Sequence, residues 1–164
     1  YKSVFKAGYA TKLLVQLHEF GHNLNLLHSG YNGVAYDDQS GYMGNAMQQD
    51  DHPVMCFNAA KSWALGWYSE TGKEGHLLLP AGTISWDGEL VGIDDYLNTN
   101  DFVNGQHRVV VKIESPTASS YDDMYIMYNR KEGVNAEVVG HGDKVTIVAT
   151  SGNDQQSWLQ ASIT

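Results

Sequence analysis

The chain has 164 residues, 42% of them hydrophobic and 18% charged, with a formal net charge of −9. That composition is globular, which excludes a disordered chain, and three prolines with no single-residue runs exclude a linker or low-complexity protein. The acidic balance offers no basic footprint for nucleic acid, and no apolar run reaches membrane-spanning length.

The chain opens on Tyr1, and its one cysteine, Cys56, excludes an internal disulfide. Near the start, Leu13, Leu17, Phe20, Leu24 and Leu27 step by four, three, four and three. This is the apolar stripe of one amphipathic helix. Leu14 lies off that stripe, on the face that carries His18 and His22. A polar, turn-rich stretch runs from about Ser29 to Pro53. A short helix is expected over Asn58–Leu65, capped by Asn58 and ended by Gly66.

After Trp67 the pattern changes to strands. Leu77–Leu79, Thr83–Trp86, Arg108–Ile113, Met124–Asn129 and Lys144–Thr150 are the expected ones, separated by Gly and Asp clusters. A boundary near Glu70–Gly75 is expected, giving residues 1–70 and 71–164 as two units. The second is expected to be a small antiparallel β-sandwich or barrel-like unit.

The chemistry is concentrated in His18-Glu-Phe-Gly-His22-Asn-Leu-Asn-Leu-Leu-His28. Two histidines four apart on a helix project from one face and can share a metal ion. Glu19 is placed to reach a metal-bound water without ligating the metal. For His28 to return to that ion, the chain must turn sharply after His22. Such a turn needs a left-handed backbone, which asparagine tolerates next best after glycine. Three neutral imidazoles and a water make a tetrahedral zinc site with one open position. The predicted metal ligands are His18, His22 and His28, the metal is Zn2+, and the catalytic base is Glu19.

Downstream stand Tyr36-Asp-Asp-Gln-Ser-Gly-Tyr-Met43-Gly and Met55-Cys-Phe-Asn-Ala-Ala-Lys-Ser-Trp-Ala-Leu-Gly-Trp67. With the histidine motif, this pairing resembles the gametolysin family of metzincin zinc metallopeptidases over residues 13 to 68. Asn25 departs from the glycine usual in metzincins. The resemblance implies an α+β fold with a zinc helix and a Met-turn subdomain in residues 1–70, followed by the β-rich unit in 71–164. It makes Met43 the Met-turn residue, with Met47 and Met55 as competitors. Asn45 stands where some metzincins place a tyrosine ligand, so no such ligand is expected; Tyr36 and Tyr42 could line the cleft but are expected to be structural.

It further implies a secreted zinc endopeptidase acting on extracellular or cell-wall proteins or glycoproteins. Metzincins carry a twisted sheet before the zinc helix, and only 17 residues precede His18, so a fragment lacking that sheet is expected. One competing reading is a matrix- or wall-binding module with a vestigial peptidase core. Another is a deformylase-like zinc amidase, against which His28 and the Met43 segment argue. Cys56 is expected to be structural, and His52, His76, His107 and His141 incidental. The pairs Asp37-Asp38, Asp50-Asp51, Asp94-Asp95 and Asp122-Asp123 hint at calcium, but none follows an EF-hand pattern, so most are expected to be solvated turn residues.

Overall fold

The computed structural model describes residues 3–44, 52–98, 100–116, 123–150 and 156–164. The positions expected at Asn45, Met47, Asp50, Asp51 and Asp122 lie outside the described residues. In chain order the elements are α1 (Leu13–Asn23), β1 (Ser29–Tyr31), α2 (Ala59–Ala64), β2 (Ser69–Glu70), β3 (Lys73–Glu74), β4 (His76–Leu79) and β5 (Glu89–Leu90). They continue with α3 (Ile93–Leu97), β6 (His107–Arg108), β7 (Val110–Ile113), β8 (Met124–Asn129), a 3-10 turn at Gly133–Asn135, β9 (Lys144–Thr150) and β10 (Ser157–Ile163). The fold is α+β.

The expected helix forms, but its buried side is turned from the stripe toward Leu14, with Leu17 of the stripe still packed on the core. Leu14 and Gly21 are buried, whereas Phe20, Leu24 and Leu27 of the apolar stripe are exposed, Phe20 by 53%. Close approach decides this. A Cβ at Gly21 would collide with Met43 Sδ and crowd the Phe57 ring, so the glycine row can press onto Met43 where a bulkier row cannot.

The helix stops through asparagine chemistry. Asn25 adopts φ 65°, its N–H donates to His22 O at 2.9 Å, and Leu26 N–H donates to Gly21 O at 3.0 Å. These bonds satisfy the last carbonyls of the helix, and the following Leu26 is buried against the core.

Six strands form one sheet in the order β1-β10-β9-β8-β7-β4. The inner pairings are antiparallel, and the two edges, β1 on β10 and β4 on β7, are parallel. The arrangement is therefore a mixed sheet, with two further two-stranded ribbons, β2-β3 and β5-β6. β8 and β9 have the expected bounds. The strand expected at Thr83–Trp86 does not form; Thr83 N–H and its hydroxyl both bond Pro80 O, closing a turn. The strand expected from Arg108 is interrupted at Val109, whose N–H goes to Gly75 O.

α2 packs on β7, β8 and β9. Its cap is the expected one, Asn58 Oδ1 accepting from Lys61 N–H at 3.1 Å, and Gly66 beyond it takes φ 69°. Two apolar clusters hold the chain together. One joins Ala59 and Ala60 to Val91, Tyr96, Val110, Met127, Val148 and Leu159. The other joins Leu14, Leu26, Tyr42, Met43, Met55 and Phe57 to Val138. Each draws residues from both sides of Glu70. Among the described residues no helix is long and apolar enough to cross a membrane.

Candidate metal centre

α1 carries His18 and His22 one turn apart, and the Asn25 turn returns the chain so that His28, just ahead of β1, stands beside them. The ring centroids lie 4.8 Å apart for His18–His22 and His22–His28, and 5.4 Å apart for His18–His28. One ring nitrogen of each lies within 4.8 Å of the others. His22 Nε2 and His28 Nε2 are 3.0 Å apart. Four ligands about zinc, with Zn–N near 2.0–2.1 Å, require adjacent nitrogens about 3.3 Å apart; the His22–His28 pair is close to that spacing, and three neutral imidazoles within 4.8 Å of one another are a donor set that fits the ion.

Backbone carbonyls orient two of the rings. His18 Nδ1 lies 2.8 Å from Tyr42 O, and His22 Nδ1 lies 2.8 Å from Leu26 O. An Nδ1–H donated to a carbonyl leaves the Nε2 lone pair for a metal, which is the arrangement that fixes ligand tautomers in metal sites. Burial pushes the His18 pKa below its ordinary value against the Tyr42 hydrogen bond, and the His22 charge lowers it further. Burial also pushes His28 down to about 4, helped by the charges of His22, His18 and Lys61. Both are neutral at pH 7, the form that ligates metal.

Met43 is 1% exposed and lies under Gly21, inside the same apolar cluster as Met55. The Tyr42–Met43 segment therefore touches α1 twice, through the Tyr42 carbonyl and the Met43 thioether. The turn is tight: a Cβ at Gly44 would overlap the Asp38 carbonyl, so the backbone leaves room for glycine alone. Tyr42 is buried, with its hydroxyl accepting from Met55 N–H at 3.0 Å. Of the two readings of Tyr36, the structure puts it at the cleft. It is exposed, takes φ 69°, and stands with its ring 4.0 Å from that of His28 and 6.2 Å from that of His18.

A cavity of about 370 Å³ opens beside the histidines, lined by Tyr9, Leu14, Val15, His18, Glu19 and Tyr36 among others. Glu19 thus faces the same cleft as His18. Among the described residues no second group of three possible ligands occurs. His76 stacks on Trp63, His107 pairs with Glu89, His141 bonds Ser162 and His52 pairs with Glu137. Burial pushes the Cys56 thiol up to about 12, which leaves it protonated and unreactive at neutral pH.

The family can now be asked of the whole chain. It matches the family described as gametolysin peptidase M11 over residues 2–135, most of its length. The chain belongs to the gametolysin peptidase family. Its substrate class is therefore protein. No curated protein and no solved structure matches the chain.

Sequence reasoning missed a buried polar group under this centre. Asp38, expected in a solvated turn, is fully buried; Ser40 N–H and Asn58 Nδ2 donate to its carboxylate, each at 2.9 Å. The other described pairs behave otherwise: Asp95 bonds Arg130, and Asp123 bonds Lys112. Lys61, on α2, is 1% exposed, and its ammonium has no hydrogen-bond partner among the described residues. Burial pushes its pKa from 10.5 down to about 7, against the attraction of Asp38. Between those values the unfolded chain binds more protons than the folded one, so this group's contribution to stability rises with pH. The melting temperature of the wild type should therefore climb relative to Lys61→Met between pH 7 and 9. A constant difference between the two would contradict the assignment.

Proposed function

We propose that the chain is the catalytic part of a zinc-dependent endopeptidase of metzincin type. The observation that carries this reading is the convergence of three imidazole nitrogens on one point beside Glu19 in an open cleft. His18, His22 and His28 hold the zinc, and Met43 is the apolar, polarizable floor beneath them. Bound zinc supplies Lewis acidity to a water and to the scissile carbonyl. Glu19 takes the proton of the attacking water as general base and hands it to the leaving amine nitrogen. The apolar side chains of Leu14 and Val15 border the cleft and exclude water from one side of it.

Residues 1–70 carry every proposed reacting group, and the strands of residues 71–164 pair with β1 in the sheet beside them. Family membership supports extracellular or cell-wall proteins and glycoproteins as substrates, and secretion as the route to them. The test is cleavage of a protein substrate by the purified chain with zinc, with a chelator such as 1,10-phenanthroline, and with zinc restored. Cleavage that the chelator stops and zinc restores is expected. Zinc binding without cleavage of any protein or peptide would favour the binding-module reading.

A further inference from the structure

The two helical ligands and the third are held by different means. Carbonyls orient the rings of His18 and His22. No group bonds Nδ1 of His28 among the described residues, and its place is set through the backbone instead. The peptide group between His28 and Ser29 is pinned at both polar atoms. Its carbonyl accepts from Ser157 N–H at 3.0 Å, and its N–H donates to Met43 O at 2.8 Å.

Directly behind that peptide lies a buried polar cluster. The hydroxyls of Ser29 and Ser157 are 2.9 Å apart. Asn58 Nδ2 reaches both at 3.1 Å and Asp38 at 2.9 Å. Asp38 in turn accepts from the backbone N–H and hydroxyl of Ser40. All five residues are at most 1% exposed. Buried polar groups are costly unless every member is bonded, and apolar side chains would fill this space at lower cost. What the bonds add is register. They bind β10 to β1 at one alignment, Ser29 opposite Ser157, and a slip of one residue would withdraw the hydroxyl from Ser29 and turn it to the other face.

Resting on the zinc reading, we propose that Ser157, Asn58 and Asp38 are positioning residues for the third metal ligand. Through them metal affinity depends on the C-terminal strand β10, which lies beyond the segment that matches the family. A residue 129 positions downstream of His28 thereby sets where His28 stands.

The test is the zinc dissociation constant of the full chain, measured by competition with a chromogenic chelator well below the melting temperature. Circular dichroism confirms the fold of each variant. Ser157→Ala and Asp38→Asn should weaken zinc binding about tenfold or more, the range for loss of outer partners of metal ligands. Val111→Ala is the control: it removes a buried side chain from β7, three strands from β10 in the same sheet, and should lower the melting temperature while leaving zinc affinity at the wild-type value. Unchanged affinity in both cluster variants, in a wild type that binds zinc, overturns this inference alone. So does a loss in Val111→Ala as large as theirs, which would reduce the effect to general stability. A wild type that binds no zinc overturns the parent reading and this one with it.

Discussion

Glu19→Gln should keep its zinc and lose its turnover. The side chain sits on α1 next to His18 and faces the cleft that His18 and Tyr36 border. The amide has nearly the carboxylate's shape, so packing and the three ligands stay as they are. It has no basic oxygen with which to take a proton from the attacking water. A positioned general base contributes about 10²–10⁴-fold, and kcat should fall by that order while zinc content is unchanged. Measuring kcat and KM on one peptide beside the metal content separates the outcomes. A variant that turns over at the wild-type rate would remove Glu19 from the mechanism. A variant that lost zinc would show that Glu19 supports the ligands instead.

His28→Ala should have the next largest effect. His18 and His22 share a helix, and with His28 gone they remain as a bidentate pair without the ligand that closes the site. Loss of a direct ligand should cost more than the roughly 10–100-fold of an outer partner, so affinity should drop by more than about 100-fold. His52→Ala is the matched control, since His52 pairs with Glu137 at the surface and should leave affinity unchanged. Equal affinity in wild type and His28→Ala would mean that the third histidine does not ligate.

Much of the centre is legible in the sequence because its geometry is local. The four-residue spacing of His18 and His22 needs only a helix, and the return of His28 needs one left-handed residue, which Asn25 provides. Met43 is legible only through the family pattern, as no periodicity points to it. The strands Met124–Asn129 and Lys144–Thr150 are visible because β-branched and aromatic residues fill them.

What the sequence hides is non-local. β1 has only three residues, Ser-Gly-Tyr, and β10 is Ser-Trp-Leu-Gln-Ala-Ser-Ile. Neither announces a partner, and their parallel pairing joins segments far apart in the chain. Asp38 reads as a turn residue because its bonds to Ser40 are those of a local turn, while the Asn58 amide that covers its other oxygen is brought there only by the fold. The buried face of α1 is hidden for a related reason. Phe20, Leu24 and Leu27 form the stronger apolar row, yet the row with Gly21 packs, because Met43 requires the space that glycine leaves.

The three histidines should hold one zinc ion per chain. Metal analysis of the purified, folded wild-type chain after dialysis against trace zinc measures this. The prediction is about one zinc per chain, falling sharply in His28→Ala. A wild-type chain that is folded by circular dichroism and carries no zinc would contradict it.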